Sequence, residues 1–224
     1  MRKNIFIKKV LTASIISLLF MQMFYTLVFE PTVVTALTTD TVVVSLNVDA
    51  GVAISDGLAA TMSPNIGITQ NKSIGSSSWN VTSNSATGYT LVVHANASPA
   101  LVKPAGPGAA DSFNDYTPAA TIPDTWGGVA SSDKEFGFSA RGTDSLASFG
   151  GATTCGNTGT GVPDTSSKFL GFNNTTDIQI ATRSTITTPS GVPTYICFAA
   201  EQGSAIYATA GQYQTTITAT VATI

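Results

Sequence analysis

Few side chains in this sequence could catalyse a reaction, and the single histidine, His94, is the first to consider. A triad of nucleophile, base and orienting carboxylate would have to use its imidazole as the base. His94 lies in an alternating stretch, on the strand face opposite Tyr89 and Leu91, which is typical of an ordinary strand residue. We therefore predict no catalytic residue in the chain and no enzyme activity.

Carboxylates offer two other kinds of site. Glycoside hydrolysis needs two carboxyl groups at a defined separation, which a sequence does not give. The candidate pairs are Asp111 with Asp115 and Asp133 with Glu135. Asp111, Asn114 and Asp115 also place oxygen ligands at the first, fourth and fifth positions of one segment, which would suit calcium. Because this segment lacks the spacing and the glycine of an EF-hand, we predict solvated turn residues, no metal and no cofactor.

Three aromatic side chains define a further candidate site. Residues 98–132 contain five prolines among Gly, Ala and Asp, so we predict a long loop or an insertion at one end of the domain. Within it, Phe113, Tyr116 and Trp126 could form an exposed platform for sugar rings, since loops commonly carry binding residues. The alternative is that the rings are buried under the loop and hold it in place.

The N-terminal segment has the composition of a secretory signal. Four basic residues stand among the first nine, and no charged residue follows in residues 10–29. Small residues at Val34-Thr35-Ala36 fit a signal peptidase, so we predict a signal peptide over residues 1–36, cleaved after Ala36. A retained membrane anchor stays open as the alternative, because about 20 uncharged residues are enough to span a bilayer.

Charge restricts the partners of the rest of the chain. Residues 37–224 carry six basic and twelve acidic side chains, and therefore a net charge of −6. The basic residues are scattered singly, whereas a nucleic-acid surface needs clustered Lys and Arg, so we expect no nucleic acid partner. Charged residues make up 10% of the chain, and Thr, Ser, Gly and Ala take their place, which is typical of secreted β proteins.

Both cysteines, Cys155 and Cys197, follow the signal segment and would enter an oxidising compartment. We therefore predict one disulfide between them. In the chain-entropy model, closing a loop of this length stabilises the fold by about 4 kcal/mol. A zinc site is the weaker interpretation, because two thiolates and one distant histidine need carboxylates to complete a tetrahedral shell.

The clearest β pattern covers residues 76–96. Two runs rich in β-branched and aromatic residues flank a polar cluster, residues 83–88, that ends in Gly88, and this pattern predicts a β-hairpin. The two-residue period assigns one face of each arm to the core. The side chains on that face are Trp79, Val81, Tyr89, Leu91, Val93 and Ala95.

Two further strands are predicted near the ends of the secreted part. Residues 41–48 alternate, and residues 213–224 form a longer, threonine-rich run. On one face of the first run lie Val42, Val44, Leu46 and Val48. Both runs are uncharged, a composition that pairs readily with a neighbouring sheet edge. Either they pair inside one domain, or one of them is donated to another subunit.

No helical period is present after residue 36, and about eight to ten strands separated by polar turns are predicted. We therefore predict an all-β fold, a single antiparallel β-sandwich of the Ig-like or jelly-roll-like kind over residues 37–224. An N-terminal signal helix precedes it.

Two short motifs resemble those of known surface proteins. Ser78-Trp79-Asn80-Val81-Thr82, together with the threonine-rich residues 210–221, resembles secreted bacterial surface proteins of the WxL type. The Gly-x-Tyr-x-x-Thr ending that starts at Gly211 is similar to that of spore-coat-U-like and chaperone-usher pilin subunits. The resemblance implies a non-enzymatic protein of the bacterial surface or of a surface filament.

The signal segment, the β pattern and the low charge predict a secreted or cell-surface structural or adhesive protein of the bacterial envelope, with a filament subunit as one form. Its expected partners are a cell-envelope polymer, a glycan or other copies of itself. It would touch a membrane only through an uncleaved N-terminal segment. The alternative function is an extracellular carbohydrate-binding module that uses the aromatic loop over residues 111–126.

Overall fold

The structure, a computed structural model, describes residues 2–29, 42–118, 122–150, 155, 159–172 and 176–224. The chain divides into two compact units, Met1–Asn47 and Val48–Ile224. The predicted signal-peptidase site at Val34-Thr35-Ala36 lies outside the described residues.

The first unit contains one helix, α1 (Arg2–Phe29). Its stretch Ile7–Tyr25 is long and apolar enough to cross a membrane, a property that signal sequences and membrane anchors share. The helix is therefore compatible with the predicted signal peptide and with a retained anchor.

The strand predicted over residues 41–48 is not found. Residues 42–50 form no strand, and their side chains are exposed. In the described part of the chain no strand pairs with this segment, and the Asp49 carbonyl oxygen instead accepts a hydrogen bond from the Asn84 side chain at 3.0 Å. The alternating composition was recognised correctly, but it does not by itself provide a partner.

Eleven β-strands are present in the described part of the second unit. Their bounds are β1 (Val52–Ile54), β2 (Lys72–Ser83), β3 (Tyr89–Ala95), β4 (Leu101–Val102), β5 (Ser112–Asp115), β6 (Asp124–Thr125), β7 (Lys134–Arg141), β8 (Lys168–Phe169), β9 (Ile178–Arg183), β10 (Val192–Gln202) and β11 (Ile217–Thr223). A single 3-10 turn covers Ala147–Phe149.

These strands form two larger sheets and one ribbon. The six-stranded sheet has the order β1-β2-β10-β7-β5-β4, and its neighbours are antiparallel except for the parallel pair β5 and β7. The three-stranded sheet, β11-β3-β9, is antiparallel, and β6 pairs with β8 alone. The all-β, mainly antiparallel prediction is confirmed, although the six-stranded sheet is mixed.

Side chains from both larger sheets form one hydrophobic core. The residues assigned to the core face by the two-residue period are buried: Trp79, Val81, Tyr89, Leu91, Val93 and Ala95. From the middle of the six-stranded sheet, Phe138 of β7 stacks on Phe172 with ring centroids 4.2 Å apart. The faces of these strands were therefore predicted correctly.

The predicted hairpin is wrong, because β2 and β3 belong to different sheets. β2 pairs with β1 and β10, whereas β3 pairs with β11 and β9. The link between them crosses from one sheet to the other through Gly88, which has φ +82°. A Cβ added at this position would lie 1.9 Å from the carbonyl oxygen of Arg183, so only glycine fits there. A hairpin and a crossing bury the same alternating residues, so the period does not distinguish them.

Residues 98–132, which were predicted as a loop or an insertion, contain three of the short strands. β4 and β5 extend the six-stranded sheet beyond β7, and β6 belongs to the ribbon. The prolines at positions 99, 104, 107, 118 and 123 all lie outside these strands, as expected for residues that lack a backbone donor.

Candidate functional site

The three aromatic residues of the loop pack into the protein. Phe113 and Tyr116 are 3% and 6% exposed, and Trp126 is half-buried. Tyr116 stacks on Trp126 with ring centroids 4.4 Å apart, and Phe113 packs edge-on against Tyr213 at 5.2 Å. Because a buried ring cannot stack on a sugar, the predicted platform is corrected: these rings hold the segment in place.

Tyr116 and Trp126 lie on the side of the six-stranded sheet that faces away from the core. We call the apolar group there the outer cluster, and its members are Ile74, Tyr116, Trp126, Phe169 and Ala199. Gly137 provides the space, since a Cβ at this position would lie 2.9 Å from Cβ of Tyr116 and 3.2 Å from the Trp126 ring. The outer cluster therefore depends on a glycine in the middle of β7.

Gly137→Ala is expected to lower the free energy of unfolding by about 1–2 kcal/mol, because the added methyl overpacks the outer cluster. Its Cβ would also lie 3.1 Å from the carbonyl oxygen of Leu170. Gly67→Ala is the matched control, since a Cβ there has no neighbour within 4 Å. Urea denaturation followed by circular dichroism measures both variants. Equal midpoints for the two would contradict this packing.

Two of the three calcium candidates are occupied by separate protein partners. The carboxylate of Asp115 accepts hydrogen bonds from the Ser98 hydroxyl at 2.7 Å and the Ala100 N–H at 3.0 Å. The Asn114 amide donates to Asp133 at 2.6 Å. The Asp115 carboxylate and the Asn114 amide group therefore each bond to a different part of the protein.

The third candidate, Asp111, is the centre of a hydrogen-bonded network. Its carboxylate is paired with the ammonium group of Lys134 and accepts hydrogen bonds from the Tyr213 hydroxyl at 2.5 Å and the Thr209 N–H at 2.8 Å. Burial alone would raise the pKa of Asp111, but the bonds from Lys134, Tyr213 and Thr209 outweigh it and hold that pKa well below its usual range. The three calcium candidates thus bond to other groups of the protein, and no group of three or more His, Cys, Asp or Glu side chains suited to a metal is found within the described residues.

His94 forms a surface pair with a carboxylate. Its Nδ1 lies 2.8 Å from Oδ1 of Asp177, and both side chains are partly exposed. Across the strands its neighbour is Thr218 of β11. This is the environment of a half-exposed strand histidine, as the alternating pattern predicted.

A pair of carboxylates that the sequence did not reveal borders the outer cluster. Glu135 of β7 and Glu201 of β10 stand directly opposite each other. Glu201 accepts a hydrogen bond from Nε1 of Trp126 at 2.6 Å and lies 3.2 Å from Nζ of Lys72. Burial, followed by the charges of Asp133 and Glu201, raises the pKa of Glu135 to about 7. Only the register of β7 with β10 brings these groups together, and no local motif signals that register.

Cys155 and Cys197 form a disulfide, with Cα atoms 5.5 Å apart. No free cysteine remains in the described part of the chain. The bond joins residue 155 to β10, a central strand of the six-stranded sheet. The predicted pairing is therefore present.

The ends of the two larger sheets differ in how well they are covered. At β9, the Ile180 carbonyl oxygen accepts a hydrogen bond from the Leu146 N–H, and the Thr182 N–H donates to the Asp144 carbonyl oxygen, both at 2.9 Å. At β4, Val102 exchanges two backbone hydrogen bonds with Gln214. The strand at the remaining end of the six-stranded sheet, β1, has only three residues.

β11 is a long edge strand: in the part of the chain that the structure describes, one side of its backbone forms no ladder and is in this sense uncovered, although β1 of the other sheet lies beside it. It has seven residues, and among the described residues its strand partner is β3 on one side only. Edge strands are usually protected by charges, prolines or bulges, and β11 contains no charged residue and no proline. Its core-facing residues, Ile217, Ala219 and Val221, are only partly buried. The core therefore ends incompletely covered at this edge.

Residues 42–48 have the properties of a strand without a partner. Their four alternating apolar side chains are between 74% and 88% exposed. These are Val42, Val44, Leu46 and Val48. The segment has the same number of residues as β11 and, like it, no charge.

Neither family models, nor curated proteins, nor solved structures gave a match to this chain. Its function is therefore inferred from its own residues.

Proposed function

We propose that this chain is an exported, non-enzymatic structural protein of the bacterial cell surface, and that its copies assemble by strand addition. The observation that carries the proposal is the presence of an uncovered seven-residue edge, β11, together with an exposed alternating segment of the same length, residues 42–48. The partner that fits this edge is a second copy of the chain.

Export is supported by two features. The apolar helix α1 has the length of a signal sequence or membrane anchor, and the disulfide between Cys155 and Cys197 suits an oxidising compartment. A protein secreted or displayed on the cell surface meets both conditions.

The fold that we infer is a β-sandwich of the Ig-like or jelly-roll-like kind, supported by two sheets that share one core. A sandwich of this kind grows at its edges, because an edge strand still offers unpaired N–H and C=O groups. Strand addition satisfies these groups with a main-chain ladder, and alternate side chains of the added strand supply the specificity.

The energy of addition comes mainly from the apolar face of the donated segment. Burying one large aliphatic side chain contributes about 1.5–3 kcal/mol relative to full exposure, so four of them outweigh a moderate cost of association. Ile217, Ala219 and Val221 of β11 are only partly buried, and they provide apolar surface for these side chains to contact. The opposite face, Val43, Ser45 and Asn47, would remain in water.

Two charges on the apolar face should abolish assembly. In the secreted form, residues 37–224, Val44→Asp combined with Leu46→Asp is expected to leave monomers, because both carboxylates would be buried at the new edge. Val43→Asp combined with Ser45→Asp is the matched control, with the same charge in the same segment on the outward face. Sedimentation velocity over a concentration series, with electron microscopy of the products, measures assembly.

A peptide of residues 41–48 provides the second arm of this test. Added in excess, it should occupy the edge of β11 and shorten the assemblies, whereas a scrambled peptide should not. Monomers of the unaltered protein at every concentration would overturn the proposal. Equal assembly by the two charged variants would do the same.

The absence of enzyme activity is supported by the surroundings of His94. Within the described residues, the hydrogen-bond partner of His94 is Asp177. No serine hydroxyl and no cysteine thiol in that part of the chain bonds to its ring. A carbohydrate-binding module on residues 111–126 would have to use the exposed part of Trp126 alone, since Phe113 and Tyr116 are buried. The geometry therefore favours the structural role.

A further inference from the structure

Glu135, Glu201 and Trp126 form a connected group at the border of the outer cluster. We propose that Glu135, opposite Glu201, acts as a proton-dependent latch, which holds Trp126 and the segment around β6 on the sheet while Glu135 is protonated and releases them when Glu135 ionises. The latch is independent of strand addition, because it lies on the outer face of the six-stranded sheet and involves neither β11 nor residues 42–48.

The charges around Glu135 are unbalanced. Glu201 faces it from β10, and Asp133 precedes it at the start of β7. The nearby cation, Lys72 of β2, is already paired with Glu201 at 3.2 Å. Ionised Glu135 would therefore add a further negative charge beside those of Asp133 and Glu201, and like charges directly opposite each other destabilise a sheet.

The other elements packed here do not provide a second counter-charge. Asn114 of β5, in register with Glu135, is neutral and donates to Asp133. Asp124 of β6 adds a further negative charge, and Lys168 of β8 is exposed. The ammonium group of Lys134 is engaged by Asp111.

A proton removes the imbalance. Protonated Glu135 is neutral and presents an O–H donor on the face where it stands opposite Glu201. Glu201 in turn accepts the indole N–H of Trp126. Glu201 thus faces Glu135 across the strands and also holds the indole ring of Trp126.

The segment around β6 is anchored by Trp126, which stacks on Tyr116 and bonds to Glu201, whereas its own strand pairing is short. That pairing is the two-residue ribbon of β6 with β8, supported by the hydrogen bond from the Tyr116 hydroxyl to the Thr125 carbonyl oxygen at 3.1 Å. A short ladder opens locally at low cost once its anchoring side chain is displaced. Ionised Glu135 places a second charge opposite the buried carboxylate of Glu201, and displacement of Trp126, which bonds to that carboxylate, admits water to it.

The transition falls near neutral pH, since burial and the neighbouring carboxylates raise the pKa of Glu135 to about 7. Glu135 is protonated below that value, so the latch is closed there and opens as the pH rises. The direction is the same as that of a His paired with a carboxylate, which also loosens as the pH rises because the cation loses its proton.

Acrylamide quenching of tryptophan fluorescence in the full-length protein in detergent tests the latch. Between about pH 5.5 and pH 8.5 the quenching constant should rise roughly twofold as Trp126 becomes accessible. Trp126→Phe should remove this rise, because the remaining Trp79 is in the core and 9% exposed. Glu135→Gln, which keeps the shape and a donor, should stay closed at every pH.

Two further variants separate a latch from general acid–base effects. Asp133→Asn should lower the midpoint of the transition, because one repelling charge is gone, and His94→Gln should leave it unchanged. A quenching constant that does not change with pH in the unaltered protein overturns the proposal. The same transition in Glu135→Gln overturns it as well.

Discussion

Replacing both cysteines by serine is expected to lower the free energy of unfolding by about 4 kcal/mol. Cys155 and Cys197 are 42 residues apart in sequence and bonded, so their bond restricts a long loop in the unfolded chain. This is a large share of the total stability of an ordinary domain. The midpoint of guanidinium unfolding measures the loss.

The control for the disulfide is the unaltered protein under reducing conditions. Reductant should bring its midpoint to that of the double serine variant and should not affect that variant. Intact-mass measurement of the secreted protein should find no alkylatable thiol. Equal stability of the oxidised protein and the serine variant would contradict a stabilising bond.

Asp111→Ala is expected to destabilise the fold by about 2–3 kcal/mol, because it leaves the Lys134 ammonium group without its charge partner in a partly buried site. The hydroxyl of Tyr213 and the N–H of Thr209 lose their acceptor at the same time. Asp124→Ala is the control, since Asp124 is exposed. Chemical denaturation compares the two variants.

A double-mutant cycle isolates the ion pair in this network. Lys134→Met combined with Asp111→Ala should cost less than the sum of the single changes, because the second change then leaves no unpaired charge. Simple additivity would show that the pair contributes nothing. Added calcium should not raise the stability of the unaltered protein, since Asp111 is already fully engaged by protein donors.

The same carboxylate gives stability a defined pH dependence. The folded pKa of Asp111 lies below the unfolded value of 3.8, so its contribution is fully present above that value and is lost as the pH falls below it. Asp111→Ala should therefore have a flatter stability curve at acid pH than the unaltered protein. An unchanged slope would contradict this assignment.

Several properties of the protein follow from short-range patterns. The two-residue period determined which side chains of β2 and β3 face the core, because alternation is a property of a single extended strand. The apolar run before residue 30 determined α1, and two cysteines after a predicted signal segment predicted the disulfide. Each of these conclusions needs only neighbouring residues or composition.

The choice of partners was decided by tertiary structure alone. The sequence pattern around Gly88 fits a hairpin and a crossing equally well, and only the positions of β9, β10 and β11 separate β2 from β3. The rings of Phe113 and Tyr116 were visible in the sequence, but their burial depends on what packs over them. Pairing joins residues far apart along the chain, such as Glu135 and Glu201, and its energy depends on the whole sheet. For the same reason the sequence identified residues 42–48 as strand-like, whereas only the structure located an uncovered edge, β11, to which such a strand could add.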